Sequence, residues 1–124
     1  MSKTKAGALM DFFSSFGLDA YVETNVPVGA TFPYLTYTNV SSAFGDGDVN
    51  ITVNLWYYTD SEAIPNAKAE EISKAIGLGG RLIKCDDGLI WVKRGTPFIQ
   101  SLNDDNLPLI KRRYINVSAE FLTL

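Results

Sequence analysis

The segment Val49–Thr59, with the sequence VNITVNLWYYT, alternates apolar and polar residues along its length. A period of two is the pattern of a β-strand in a sheet that buries one face, because successive side chains of a strand point to opposite sides. At Trp56 and Tyr58 the polar side of this strand becomes aromatic. We therefore expect that end of the second face to be covered as well, either by the rest of the chain or by a partner.

A second long strand is predicted at Leu109–Leu124, where apolar residues again alternate with polar ones. Its apolar members are Ile115, Val117, Ala119 and Phe121, and its polar members are Asn116, Ser118 and Glu120. Two long strands that each have one apolar side can bury those sides together on one core. We therefore expect this strand to pair with the Val49–Thr59 strand.

Two amphipathic helices are predicted from apolar residues spaced by three and four. The first covers residues 4–16, with Thr4 as its cap and Gly17 as its stop, and its aromatic stripe is expected in the core and not at a ligand. The second begins after capping oxygens at Thr59, Asp60 and Ser61, has Pro65 in its first turn, and ends at Gly77, Gly79 and Gly80.

Shorter strands and turns fill the rest of the chain. Strands are predicted at Leu18–Val26, Tyr34–Thr38, Arg81–Asp86, Leu89–Arg94 and Phe98–Leu102, with loops at Ser41–Asp48 and Asn103–Pro108 and a break at Gly95 and Pro97. This order predicts one α+β domain over residues 1–124, with a mainly antiparallel β-sheet and two α-helices packed on one face.

Composition excludes several functional classes. The chain has 124 residues, a formal net charge of −3, one cysteine and no histidine. Without histidine there is no Ser-His-Asp or Cys-His arrangement and no usual zinc site. Cys85 alone cannot form an internal disulfide, and its neighbours are typical of an ordinary strand. The net charge gives no general attraction to nucleic acid, and the interrupted amino-terminal apolar run indicates neither a signal peptide nor a membrane span.

Charged and glycine-rich clusters are better explained by turns than by ligand sites. Three acidic pairs lie in turn-like segments without the spacing of a calcium loop, so no metal site is predicted: Asp46 with Asp48, Asp86 with Asp87, and Asp104 with Asp105. The sequence GLGGRLIK at Gly77–Lys84 follows a helix and precedes a strand, the reverse of a phosphate loop.

One basic run, Lys111 to Arg113, stands in the predicted carboxyl-terminal strand. In an extended segment Lys111 and Arg113 point to one side and Arg112 to the other. Two interpretations remain open, an edge strand protected from aggregation by charge and a set of ion pairs at an interface.

The order of these features resembles the tail terminator proteins of long-tailed bacteriophages, also called tail-completion or tail-to-head joining proteins. The resemblance spans nearly the whole chain. It rests on VPVGATFPYLTYT, on LWYYTDS before the second helix, on ISKAIG at the end of that helix, and on TPFIQSLNDDNLPLIKRRYINVSAEF. Positions that match the Gln, Asp, Lys-Arg series of the family are Gln100, Asp104 or Asp105, and Lys111 with Arg112.

The resemblance implies a structural virion protein and no enzyme. Members of that family form a hexameric ring at the head-proximal end of the tail tube, end tube polymerisation and join the tail to the head connector or head-closure protein. It implies assembly in the host cytoplasm, no cofactor, no membrane contact, and DNA that only passes through the lumen. An acidic chain is consistent with such a lumen.

Candidate assembly residues follow from these observations taken together. They are Phe44, Asp46, Asp48, Trp56, Tyr58, Gln100, Asp104, Asp105, Lys111, Arg112 and Arg113. Two other functions remain open: a head-closure or connector adaptor of the phage neck, and a small enzyme or ligand-binding domain with Trp56, Tyr58 or Trp91 around a pocket.

Overall fold

The computed structural model describes residues 3–104 and 106–124, and the side chains of residues 103 and 104 are left out of the description. The helices are α1 (Lys5–Ser14) and α2 (Ala63–Ile76), and a short 3₁₀ turn covers Glu23–Asn25. The strands are β1 (Asp19–Val22), β2 (Tyr34–Tyr37), β3 (Asp48–Tyr58), β4 (Arg81–Cys85), β5 (Gly88–Asp104) and β6 (Leu107–Leu122).

The six strands described form one sheet in the order β1-β2-β3-β6-β5-β4. Neighbouring strands are antiparallel except β1 and β2, which are parallel. The two long predicted strands pair along the whole of β3, from Asp48 opposite Glu120 to Tyr58 opposite Ile110, so that prediction is confirmed. Because β6 lies between β3 and β5, the interpretation of Lys111–Arg113 as a protected edge strand is wrong.

Helix α1 begins where its sequence predicts. The hydroxyl of Thr4 accepts a hydrogen bond from the Gly7 backbone N–H at 3.0 Å, as an N-cap residue does. The aromatic stripe lies in the core, where Phe13 contacts Tyr37 of β2 with ring centroids 4.6 Å apart. The buried stripe consists of Leu9, Phe12, Phe13 and Phe16, which confirms the core assignment.

Helix α2 begins differently from the prediction. Its N-cap is Glu62, whose side chain makes no capping bond, whereas the Thr59 hydroxyl accepts from the Ser61 N–H at 3.1 Å inside the preceding turn. The Thr59 hydroxyl is therefore engaged in the turn before the helix, and none of Thr59, Asp60 and Ser61 is the N-cap residue. At the other end Gly77 has a φ of +75°, which confirms it as the helix stop.

Both helices pack on the same face of the sheet, and we call the opposite side the outer face. Helix α2 contacts β3, β5 and β6 in the middle of the sheet, whereas α1 contacts β1 and β4, the two outermost strands. A single helix can reach both edges only because the sheet is curled. The α+β class and the one-sided packing of the helices are thereby confirmed.

Several strand boundaries differ from the predicted ones. Strand β1 ends at Val22 and not at Val26, because the chain turns into the 3₁₀ segment. Strand β5 continues through the predicted break at Gly95 and Pro97, with a shift in register between Arg94 and Ile99 that absorbs the irregular residues. The predicted loop Asn103–Pro108 is the tip of the β5–β6 hairpin, and its Asp105 lies outside the described residues.

Candidate interaction surface

The outer face of the sheet carries a group of aromatic rings centred on Trp56. The period of two in β3 places Trp56 on this face, opposite Tyr34 of β2 in the β2–β3 register. The two rings are stacked, with centroids 6.3 Å apart and an interplanar angle of 21°. The indole N–H donates to the Thr36 hydroxyl at 3.0 Å, which fixes the orientation of the ring.

Arg112 contacts the same indole from β6, which lies on the other side of β3 from β2. It is directly opposite Trp56 in the β3–β6 register, and its Cζ is 5.3 Å from the Trp56 ring centroid. This is the geometry of a cation–π contact. The Arg112 Nε is buried and has no hydrogen-bond partner among the described residues, and no described carboxylate forms an ion pair with the side chain.

The aromatic group continues to the end of β3. Phe32 lies between Tyr34 and Tyr58, with ring centroids 5.4 and 5.9 Å from theirs. Tyr58 is nevertheless 59% exposed, so the chain covers this end of the outer face only in part. We call the set Phe32, Tyr34, Trp56, Tyr58 and Arg112 the aromatic–arginine surface.

Lys111 and Arg113 point to the opposite side of the sheet, as the alternation predicts, and α2 buries them. Arg113 is fully buried; its Nη2 is 2.5 Å from the Glu62 carboxylate, and its Nε donates to the Asn66 side chain at 2.9 Å. The Lys111 ammonium is 3.9 Å from the same carboxylate and donates to the Pro108 carbonyl. These two cations are bound within the chain, so we leave them out of the proposed contact surface.

The Ser41–Asp48 loop presents Phe44, which is 75% exposed. Asp46 organises this loop: its carboxylate accepts from the Ser42 hydroxyl at 2.7 Å and from the Ala43 N–H at 3.0 Å. These hydrogen bonds hold the pKa of Asp46 below its ordinary value, since they favour the charged carboxylate. The turn role that the sequence predicts for Asp46 is confirmed, and Phe44 remains a candidate contact.

Asp48 belongs to a separate charged group at the other end of the outer face. Its carboxylate is 2.6 Å from the Lys93 ammonium, which also lies 3.6 Å from Glu120 and 4.2 Å from the Trp91 ring centroid. The two carboxylates raise the pKa of Lys93, chiefly through the hydrogen bond from Lys93 to Asp48. Asp48 therefore links β3 to β5 through an ion pair with Lys93 that spans β6.

The remaining candidates lie along the β5–β6 hairpin. Gln100 is exposed on the outer face, opposite Tyr114 and two residues from Leu102, which is opposite Arg112. Gln100 therefore extends the aromatic–arginine surface toward β5. Asp104 ends β5, but its side chain is outside the description, and Asp105 is outside the described residues altogether.

The three aromatic residues considered for a ligand pocket do not converge. Trp91 is opposite Glu120, whereas Trp56 is opposite Arg112, so the two indoles are separated by roughly 26 Å along β6.

Burial is the largest effect on Cys85 and raises the pKa of its thiol, which disfavours the reactive thiolate. Within the described residues, no three His, Cys, Asp or Glu side chains are grouped closely enough to hold a metal ion.

Two members of the aromatic–arginine surface, Phe32 and Tyr34, are absent from the candidates chosen by sequence. The proline-led YLTYT segment predicts a strand but does not show which strand pairs with it, and the β2–β3 register is what places Tyr34 beside Trp56.

No described helix is long and apolar enough to cross a membrane.

Comparison of the chain with models of known protein families, with curated proteins and with solved structures found no match.

Proposed function

We propose that this chain is a structural subunit of a phage tail, which forms a ring at the head-proximal end of the tail tube, ends tube polymerisation and joins the tail to the head. The proposal starts from the resemblance of the sequence to tail terminator proteins. It needs a chain that folds alone and retains surfaces for the tube, for the head connector and for further copies of itself.

The aromatic–arginine surface is the observation that supports this function best. It combines large rings with an arginine whose guanidinium lies on Trp56, and aromatic residues and arginine are enriched at the centres of protein interfaces. Its Tyr58 ring is mostly exposed and lies beside the exposed Phe32 ring, so part of the aromatic group is open to a partner. Arg112 can donate to a carboxylate while its flat side remains on Trp56, so an acidic partner segment suits this surface.

Electron microscopy of tails assembled with and without this chain tests the function. Omission should give tubes that exceed the normal length and do not join heads, and addition of the chain should cap them. Tubes of normal length that still fail to join heads would instead favour a head-closure or connector adaptor. Tubes and joining that are unchanged by omission would refute a neck function and return attention to ligand binding.

A further inference from the structure

A groove between helix α1 and strand β4 lies on the helix side of the sheet, away from the aromatic–arginine surface. It has a volume of about 610 Å³, which is within the range of small-molecule sites, roughly 300–1,000 Å³. Its lining contains Ala8 and Phe12 of α1 and Ile83 and Cys85 of β4. The first two belong to the core and the other two pack against it, so the floor of the groove is apolar.

Arg81 places a cation above this floor. In the β4–β5 register it is opposite the buried Val92, so its side chain lies on the helix side of the sheet. The guanidinium Cζ is 5.8 Å from the centroid of the Phe12 ring, within the range of a cation–π contact. Arg81 is exposed, and no described carboxylate forms an ion pair with it. Its positive charge is therefore available to a ligand in the groove.

The acidic side chains of the groove are engaged by Lys3. Asp11 forms an ion pair with the Lys3 ammonium at 2.7 Å, and the Asp86 carboxylate accepts a hydrogen bond from the Lys3 backbone N–H. Both carboxylates still line the groove. A ligand with a single negative charge should therefore enter it more readily than a doubly charged phosphate, because like charges close together are costly.

The free edge of β4 adds backbone donors to the same groove. Strand β4 is the last strand of the sheet and has β5 on one side only. Cys85 and Gly88 form the pair next to the hairpin turn. Because backbone groups alternate in direction along a strand, the N–H groups of Leu82 and Lys84 point away from β5. Both residues line the groove, so their N–H groups can donate to an oxygen atom of a ligand.

The position of α1 restricts the size of the occupant. Helix α1 contacts both β1 and β4, so it crosses the side on which a further strand would extend the sheet. The groove therefore suits a small molecule and not an added strand.

We propose that this groove binds a small amphipathic carboxylate, such as a free fatty acid of medium length. The Arg81 guanidinium pairs with the carboxylate, since arginine and carboxylate groups match in charge and shape. The hydrocarbon part lies on Phe12 and Ile83. This site does not depend on the tail function proposed above, because it lies on the opposite face of the sheet from the aromatic–arginine surface.

Titration of the full chain with sodium octanoate, followed by ¹H–¹⁵N NMR, tests the site. The amide signals of the groove residues Ala8, Phe12, Ile83 and Cys85 should shift and saturate with a Kd of about 1 mM, as expected for so small a ligand. Octan-1-ol and octylammonium have the same hydrocarbon part without the negative charge. Both should bind at least about fivefold more weakly than octanoate.

Substitution of Arg81 should separate the charge from the apolar floor. Arg81→Gln should weaken octanoate binding about fivefold or more, and Arg81→Lys, which keeps the positive charge, should weaken it less. Lys84→Gln is the matched control. Lys84 follows Ile83 in β4, so its side chain points to the other face of the strand, and binding should stay within about twofold of the parent chain.

Several results would overturn the proposal. They are amide signals in the groove that do not shift up to about 10 mM octanoate, octan-1-ol that binds as tightly as octanoate, and an Arg81→Gln chain that binds like the parent. Equal weakening by Arg81→Gln and Lys84→Gln would also overturn it, because that result indicates a general attraction of the basic chain segment for anions. Thermal midpoints equal to that of the parent chain would verify that the variants are folded.

Discussion

Arg112 and Arg113 are neighbours in the sequence, but their guanidinium groups lie on opposite faces of the sheet. Arg113 is enclosed between β6 and α2 and bound by Glu62, whereas Arg112 lies on the Trp56 ring of the outer face. Substitutions at these two positions should therefore separate folding from assembly. Substitution of Arg113 should lower the stability of the chain, and substitution of Arg112 should weaken the proposed contact with a partner.

Loss of the Glu62 charge should destabilise the fold. Glu62→Gln keeps the shape of the side chain but leaves the buried Arg113 guanidinium without its carboxylate, so we expect the free energy of unfolding to fall by about 1–3 kcal/mol. The measurement is urea denaturation followed by circular dichroism. Glu70→Gln, on the exposed side of the same helix, is the control and should change stability by no more than about 0.5 kcal/mol. Equal losses in the two variants would contradict the role given to Glu62.

Arg112→Gln should impair tube capping in a chain that remains folded. The contact of Arg112 with Trp56 is worth about 0.5–1 kcal/mol at such a site, so stability should change little. Lys93→Gln is a matched control, because Lys93 also lies over an indole of the outer face, that of Trp91, but at the other end. Capping counted by electron microscopy should fall for the first variant only. Equal capping by both would exclude the aromatic–arginine surface as the contact.

Gly88 should not tolerate a side chain. Its φ is +149°, and a Cβ there would lie 2.1 Å from the Leu122 carbonyl oxygen, so Gly88→Ala should lower the free energy of unfolding by more than about 2 kcal/mol. Gly29 has no described heavy atom within 4 Å of the equivalent position, and Gly29→Ala should be neutral or stabilising by up to about 1 kcal/mol. Urea denaturation of both variants provides the comparison, and similar values would count against the close approach of Gly88 to β6.

The Ser41–Asp48 loop should lose order in acid. Hydrogen bonds from Ser42 and Ala43 lower the folded pKa of Asp46 from its ordinary 3.8. A lowered pKa means that the contribution is complete above the unfolded value and disappears as the pH falls through the folded one. The Ala43 amide signal in NMR should therefore titrate below pH 3.8. Ser42→Ala should move that titration upward, and a signal unchanged by Asp46→Asn would show that another group is responsible.

Cys85 should react slowly in the folded chain. Burial is the main cause that raises the pKa of its thiol, so the thiolate fraction at neutral pH is reduced. Iodoacetamide labelling at pH 7.5, followed by mass spectrometry, should be several-fold slower than in the same chain unfolded in urea. A folded chain labelled as fast as the unfolded one would mean that the thiol is accessible and ionised.

Alternation along single strands could be read from the sequence because it is a local property. It correctly placed Ile51 and Val53 in the core and separated Arg112 from its two neighbours. The helix ends at Thr4 and Gly77 were equally accessible, since a capping hydroxyl and a positive φ each depend on one residue.

The members of the aromatic–arginine surface could not be identified from the sequence in this way. The contact of Tyr34 with Trp56, and that of Trp56 with Arg112, depend on which strands are neighbours and in what register. These residues are far apart in the sequence, and many registers would bury the same apolar side chains. The burial of Lys111 and Arg113 was also missed, because it depends on partners brought close by the fold, above all the Glu62 carboxylate at the start of α2.

The place of β6 in the sheet has a consequence for biosynthesis. It is the last described strand along the chain, but it lies between β3 and β5 and pairs Asp48 with Glu120. The two halves of the sheet can therefore join only after β6 has been translated. Until then β3 is without its main partner, and contacts of such high sequence separation form slowly. Nascent copies therefore expose the apolar side of β3 until β6 pairs with it, and exposed apolar strands favour aggregation at that stage.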